Sequence, residues 1–157
     1  MKKRTLSWLG IIALFLGAIL VSCGDKDDNS KSNTTGVHKI VVEQSGNTED
    51  FDLTVVFGAA NTNGVARLYN ENDEYLGDSY SVSKMVESKI TCHTGKEGFM
   101  MTCIGSITST SEQTGKKLKV TVIAYIDNKE VNRLEKEYVT NGTTLIERFS
   151  VSTISEK

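Results

Sequence analysis

The sequence contains no proline, and it has only two histidines and three cysteines in 157 residues. Proline is one of the residues that keep exposed edge strands from pairing with other chains, so its absence leaves this protection to charged side chains. The lysines and glutamates within residues 130–137 are expected to protect an edge strand in this way. Because structural zinc needs four converging ligands, the scarcity of histidine and cysteine predicts that no metal is bound.

Recognisable signatures of catalysis are also missing. The sequence has no glycine-rich phosphate loop and no Gly-x-Ser-x-Gly turn. Cys92 and His93 are neighbours that could be considered a nucleophile and its base, but adjacent residues on a strand point to opposite faces. We therefore expect a protein that is not an enzyme and that needs no cofactor.

The charge of the chain is low and slightly negative. Residues 1–22 hold three of the 18 basic residues and none of the 20 acidic ones, so the rest has 15 basic and 20 acidic residues, a formal charge of −5. Phosphate binding depends on grouped lysine and arginine, and no such group occurs. Nucleic acid is therefore not an expected partner.

The long uncharged apolar run at residues 6–21 follows three basic residues, Lys2, Lys3 and Arg4. A cationic start followed by an apolar segment is the layout of a secretory signal. The run is short for a transmembrane helix, which needs about 20 residues. A retained membrane span and a plain secretory signal are the alternatives to the interpretation that follows.

The segment Leu20-Val21-Ser22-Cys23 places a small residue directly before a cysteine, and in this it resembles a bacterial lipoprotein signal. The resemblance implies that residues 1–22 are removed and that Cys23 is alkylated with diacylglycerol. The lipid would then hold the protein at a membrane, since each buried CH₂ of an acyl chain contributes about 0.8 kcal/mol.

Residues 24–36 contain only polar and small side chains. Such a stretch buries too little apolar surface to offset its ordering entropy, so residues 23–36 are predicted to be a disordered, lipidated tether. Within it, Lys26, Asp27 and Asp28 resemble the lysine-plus-acidic export signals of Bacteroidota surface lipoproteins. The resemblance implies an outer-membrane protein that faces the cell exterior; a charged linker on a protein at the periplasmic face is the alternative.

Residues 37–157 are predicted to form a single domain of β-strands. Apolar residues recur at every second position within 51–57, 118–126 and 145–151, which places one face of each strand in a core. Turn-forming residues separate the segments, and no amphipathic helix is predicted between them. The predicted strands cover residues 37–45, 49–58, 65–70, 74–82, 84–94, 99–109, 116–127, 130–140 and 143–154.

This series of strands favours an all-β fold, a single antiparallel β-sandwich of about eight to nine strands. The run from Lys117 to Val131 resembles the late strands of immunoglobulin-like sandwiches in small Bacteroidota lipoproteins. The resemblance implies an immunoglobulin-like sandwich, and it does not identify a ligand.

Cys92 and Cys103 are the two cysteines that remain when Cys23 carries lipid. A hairpin that turns about Glu97 and Gly98 would place them opposite each other, both facing the core. One remaining pair in an exported protein favours a disulfide between Cys92 and Cys103. Two buried free thiols are the alternative.

Four tyrosines, Tyr69, Tyr75, Tyr80 and Tyr125, are candidates for an exposed contact surface, and the first three lie within a dozen residues of one another. Tyrosine is favoured at contact surfaces because it combines a large ring with a polar tip. These three residues are therefore a candidate contact patch for a glycan or a protein. Partly buried strand tyrosines are the alternative.

The densest acidic group is Glu71, Asp73, Glu74 and Asp78. Its spacing does not follow a calcium-binding loop, which predicts a solvated hairpin turn instead. The second histidine, His38, precedes the first strand and is predicted to be a surface residue.

These observations together predict a lipid-anchored, extracytoplasmic β-sandwich module with a binding or accessory role at the cell envelope. The alternatives are a structural or assembly subunit of an outer-membrane complex and a small hydrolase. The expected partners are the membrane, through the lipid, and a glycan or protein ligand. The sequence leaves the ligand and the oligomeric state open.

Overall fold

The computed structural model describes residues 35–154. The predicted signal segment, Cys23 and the export signal Lys26, Asp27 and Asp28 lie outside the described residues. Within residues 35–154 there is no helix long and apolar enough to cross a membrane.

The described part of the chain folds into eleven strands in two antiparallel sheets, with one short 3-10 helix, Thr48–Asp50, after the first strand. The strands are β1 (His38–Gly46), β2 (Asp52–Asn61), β3 (Gly64–Val65), β4 (Leu68–Asn70), β5 (Tyr75–Gly77), β6 (Ser79–Val82), β7 (Lys89–Thr94), β8 (Gly98–Ser109), β9 (Thr114–Ile126), β10 (Lys129–Asn141) and β11 (Leu145–Ser152).

One sheet has six strands in the order β10-β9-β1-β7-β4-β5, and the other has the order β11-β8-β2-β3 with β6 also paired to β2. The long edge strand of the six-stranded sheet is β10. Its glutamates pair with lysines of β9, as in Lys117–Glu137 and Lys119–Glu135. Charged side chains therefore line this edge, as the absence of proline predicted.

The inner faces of the two sheets form one hydrophobic core. Alternate residues of each long strand point inward, as strand geometry requires. Fully burying a side chain such as Val, Leu, Ile or Phe contributes about 1.5–3 kcal/mol, so this face fixes the register of every strand. The core includes Ile40, Val42, Leu53, Val55, Phe57, Leu68, Ile107, Leu118, Val120 and Val122.

The predicted all-β sandwich is confirmed, but it has eleven strands rather than eight to nine. The additional strands arise because the predicted segments 65–70 and 74–82 are each divided. In the second segment, β5 belongs to the six-stranded sheet and β6 to the other. The chain changes sheet at Gly77, whose φ of +125° suits a residue without a side chain.

The predicted hairpin that would pair Cys92 with Cys103 is wrong. Cys92 lies on β7, which pairs with β1 and β4, whereas Cys103 lies on β8, which pairs with β2 and β11. Because the chain crosses between the sheets around Gly95, the two strands are not ladder neighbours. Both side chains are buried, as their alternation predicted, and both are free thiols in the structure. A disulfide between them stays a prediction.

His38 is fully buried, so its predicted surface position is wrong. It has the same inward orientation along β1 as Ile40 and Val42. Its Nδ1 lies 2.7 Å from Thr153 Oγ1, and its backbone N–H donates to Thr94 Oγ1 at 3.0 Å. These contacts connect the start of β1 with the segment that follows β11.

Substituting Gly105 with alanine should destabilise the sandwich. Gly105 lies opposite Phe149 in the β8–β11 ladder, and an added Cβ would overlap the Phe149 ring. Overpacking of this kind costs about 1–3 kcal/mol, so urea denaturation should show a loss of that size in the free energy of unfolding.

The matched control is Gly58→Ala on β2, where an added Cβ meets no atom within 4 Å. This variant should remain within about 0.5 kcal/mol of the wild type. Equal stability of the Gly105→Ala and Gly58→Ala variants would contradict the packing of Phe149 against β8.

Candidate functional site

Five side chains form a continuous line across the outer face of the six-stranded sheet. They are Tyr125 on β9, Lys39 on β1, His93 on β7, Tyr69 on β4 and Tyr75 on β5. Each is the ladder partner of the next. We call these five residues the aromatic row.

The alternation of the strands is what places the aromatic row outside the core. The neighbours Ala124, Ile40, Cys92 and Leu68 are all fully buried. Since successive residues of a strand point to opposite faces, the residues that follow or precede them must face solvent. Tyr75 lies on the edge strand, and 57% of its surface is exposed.

The side chains of the row contact one another within two groups. The Tyr69 and His93 rings are stacked with centroids 5.8 Å apart, and Tyr69 and Tyr75 are tilted by 56° at 5.9 Å. At the other end, Lys39 Nζ lies 4.7 Å from the centre of the Tyr125 ring, a cation–π contact. The row therefore consists of two contacting groups, which are ladder neighbours through Lys39 and His93.

Charged groups of both signs flank the tyrosine end of the row. The Arg67 guanidinium lies 5.6 Å from the centre of the Tyr75 ring, and Tyr75 Oη donates to Asp78 Oδ1 at 2.9 Å. This hydrogen bond raises the pKa of the Tyr75 phenol. Asp73 Oδ1 lies 3.3 Å from His93 Nε2. The acidic turn predicted from the sequence is confirmed as an exposed hairpin between β4 and β5.

Tyr80 is not part of this surface. It lies on β6 in the other sheet, half-buried against the core, and its ring stacks on Phe57 with centroids 6.1 Å apart. The predicted contact patch is therefore wrong in including Tyr80, because the chain changes sheet between Tyr75 and Tyr80. Tyr69 and Tyr75 do lie together.

The outer face of the five-stranded sheet has a different character. At its centre Val56 pairs with Ile104, and these side chains are 43% and 56% exposed. An apolar groove of about 310 Å³ runs beside them. We call the following uncharged set the neutral face: Val56, Gly58, Ala60, Ser79, Ser81, Met100, Thr102, Ile104, Ser150 and Ser152.

A cleft of about 140 Å³ lies at one end of the sandwich, lined by three carboxylates, Glu49, Asp50 and Asp52, with Phe51, Lys84 and the segment 108–110. We call it the end cleft. Asp50 Oδ2 is buried there without a hydrogen-bond partner, and Lys116 Nζ is 3.6 Å away. Oxygen ligands of this kind suit a hard cation. However, no three acidic, histidine or cysteine side chains converge on one point in the described part.

The buried cysteines do not form a catalytic pair with histidine. Burial raises the pKa of Cys92 and of Cys103 to about 12, which keeps both thiols protonated near neutral pH. His93 lies on the outer face of the sheet, on the side opposite Cys92. The side chains of Cys92 and His93 therefore lie on opposite faces of the sheet, as strand geometry predicted.

Lys39, His93 and Asp50 were not among the surface-site residues predicted from the sequence, whereas Tyr125 was a candidate contact residue. Strand alternation does indicate that Lys39, His93 and Tyr125 face outward. It cannot show that they share one line, because this depends on the pairing of β9, β1 and β7. Asp50 stands out only because one of its oxygens is buried without a partner.

Comparison with solved structures places this chain among similar proteins of Bacteroidota. A DUF4425 family protein from Bacteroides ovatus is 77% identical with a TM-score of 0.78, and the match covers 79% of this chain and 100% of that one. A DUF4425 domain from Bacteroides vulgatus is 54% identical with a TM-score of 0.75, covering 78% and 98%. No curated protein matches.

A protein from Parabacteroides distasonis, solved in its calcium-bound form, is 18% identical with a TM-score of 0.58, covering 78% of this chain and 98% of that one. At this identity the similarity shows the fold alone. The family described as PLAT/LH2 and C2-like Ca²⁺-binding lipoprotein matches residues 5–151. The chain therefore belongs to this family of lipoproteins.

Proposed function

We propose that this protein is a non-enzymatic binding module, lipid-anchored at the outer membrane and facing the cell exterior, which contacts a glycan or protein ligand through the aromatic row. The observation that carries the proposal is the line of five outward-facing side chains across five strands, in which Tyr75 is exposed and the other four are half-buried. Tyrosine rings with polar tips are enriched at binding surfaces because they bury a large area at low entropic cost.

Membership of a lipoprotein family supports the anchor part of the proposal. Acylation of Cys23 after removal of residues 1–22 would supply it, and Lys26, Asp27 and Asp28 would direct the protein to the outer surface. The immunoglobulin-like assignment of the sandwich also stays a prediction. No cofactor enters the proposed binding reaction.

The alternative role is an assembly subunit of an outer-membrane complex, and the neutral face favours it. Exposed apolar patches rimmed by polar residues mark protein contact sites. A partner for this face would present an uncharged, apolar surface of its own. Arg148 and Asp52 lie toward one end of the same sheet, so charge would limit the contact to its centre.

Calcium binding is a second activity that we propose, because the description of the family includes it. The end cleft offers a hard cation the buried Oδ2 of Asp50, which accepts no hydrogen bond and lies 3.6 Å from Lys116 Nζ. Asp52 pairs with Lys84, and Lys116 lies beside Asp50, so the carboxylates are partly neutralised in the structure.

With few carboxylates available, main-chain oxygens, hydroxyl groups and water would complete the six to eight ligands that Ca²⁺ requires. Such a site resembles the weak sites of extracellular modules, for which dissociation constants are about 10⁻⁴–10⁻³ M. Binding would connect the segment around Asp50 with the end of β8 at residues 108–110, both of which line the cleft.

Protease treatment of intact cells tests the location. We expect the protein to be degraded while a periplasmic control protein in the same sample survives, because the domain would lie outside the outer membrane. The control is the purified protein under the same conditions, which must be cleaved. Survival on intact cells combined with cleavage after lysis would contradict export to the surface.

Paired variants test which surface binds. The full chain is immobilised and exposed to a Bacteroides envelope extract and to extracted surface polysaccharide. The Tyr69→Ala/Tyr75→Ala variant should fail to capture the ligand that the wild type captures. The Ile104→Ser variant should retain that ligand, because this residue lies on the neutral face. Thermal melts verify that both variants are folded. The reverse pattern would contradict binding by the row and would support the assembly role.

Calcium titration tests the end cleft. For a dissociation constant near 1 mM, 10 mM CaCl₂ should stabilise the folded protein by about 1.4 kcal/mol, measured by thermal unfolding. The stabilisation should be absent in Asp50→Asn and unchanged in Asp73→Asn, an exposed carboxylate outside the cleft. An equal effect in all three proteins, or an equal effect of MgCl₂, would contradict a calcium site at Asp50.

A further inference from the structure

We infer that the ligand of the aromatic row is a neutral, linear glycan that lies across the strands of the six-stranded sheet. The inference rests on the proposed function, since it assigns a chemical class to the ligand of the same surface. It also selects one of the two ligand classes that the proposed function leaves open.

The shape of the row fits an extended ligand. The row crosses β9, β1, β7, β4 and β5, and neighbouring strands are about 4.8 Å apart, so it is about 19 Å long. The outer face of a sheet is a broad surface rather than an enclosed cavity. A chain of several sugar rings could contact the whole row, whereas a single sugar would leave most of it uncovered.

The rings provide apolar surface of the kind on which the C–H faces of a sugar can pack. In the Tyr69 and Tyr75 pair, the 56° tilt prevents the two rings from covering each other completely. Tyr75, at the sheet edge, is more than half exposed. The Tyr75 ring, which Arg67 contacts, therefore offers the most accessible apolar surface of the row to a sugar unit.

The polar groups beside the rings match a ligand rich in hydroxyl groups. Asp73 and Asp78 carry exposed carboxylates that can accept hydrogen bonds, and Arg67 and Lys39 can donate them. A hydroxyl group both donates and accepts, so a sugar can use each of these neighbours.

The balance of charge favours a neutral glycan over an anionic one. Near the row, the cations Lys39 and Arg67 are matched by the carboxylates Asp73 and Asp78, and Glu130, the ladder partner of Tyr125, is paired with Arg133. A polyanion would meet both carboxylates and would be repelled by them. A neutral chain meets no such penalty.

The rest of the same sheet face shows that the aromatic row differs from ordinary cross-strand stabilisation. Farther along β9 and β10, the outward residues form ion pairs, Lys119–Glu135 and Lys117–Glu137. Cross-strand pairs of this kind already stabilise a sheet. The adjacent outward line of Ile123, Val41 and Thr91 has neither ion pairs nor aromatic rings, so the aromatic side chains of this face are concentrated in the row.

Affinity gel electrophoresis of the full chain tests the inference. The protein is kept in a polyoxyethylene detergent, because a detergent without sugar cannot compete with the glycan. The probes are hydroxyethyl cellulose, pullulan and galactomannan as neutral glycans, and chondroitin sulfate as an anionic one. We expect retardation by at least one neutral glycan and none by chondroitin sulfate. Tyr75→Ala and Tyr69→Ala should each weaken the binding roughly three- to tenfold, as loss of one aromatic contact would.

Two controls keep the result specific. Arg148→Ala, an exposed arginine on the other sheet, should bind as the wild type does, whereas Arg67→Ala should bind more weakly. Tyr75→Phe keeps the ring and should retain most of the affinity, and thermal melts verify that each variant is folded.

The inference is overturned if no neutral glycan is retained, if only chondroitin sulfate is retained, or if the tyrosine variants bind as the wild type does. A protein ligand that is captured through the row, without binding to any neutral glycan, would overturn the glycan inference and leave the proposed function intact. Loss of all row-dependent capture would overturn both.

Discussion

The packing of the two inner sheet faces against each other is the constraint on which the rest of this structure depends. Each long strand commits every second side chain to the core, for example Ile40 and Val42 on β1. A shift of one residue in the pairing of a strand would exchange its inward and outward side chains. In β1, such a shift would place Lys39 inside the core. The core therefore fixes which residues the molecule can present to a partner.

Three surfaces with different chemistry remain outside this core. The aromatic row combines rings with charges of both signs, the neutral face has hydroxyl groups around exposed valine, isoleucine and methionine, and the end cleft is acidic. They lie on different parts of the sandwich, so a ligand at one need not exclude contacts at another. The proposed contacts with a glycan, a cation and a protein partner would therefore occupy separate places.

Much of the strand structure could be predicted from the sequence, because hydrophobic alternation is a local signal. The segments 99–109 and 116–127 correspond closely to β8 and β9. The prediction was poorest where the chain changes sheet, since a glycine such as Gly77 can continue a strand or redirect it. His38 shows a further limit, because a polar side chain on the inner face is recognised only when its partner, Thr153, is known.

The sequence by itself determined the strands, the inward side of each one and the resemblance to a lipoprotein, because each of these is carried by residues close together in the chain. Only the tertiary structure decided which strands became neighbours. As a result, Cys92 and Cys103 are not ladder partners, Tyr80 and Tyr75 lie in different sheets, and Tyr125 lies in the same row as Tyr69. The physical reason is that strand pairing is set by packing between distant segments, which no local pattern records.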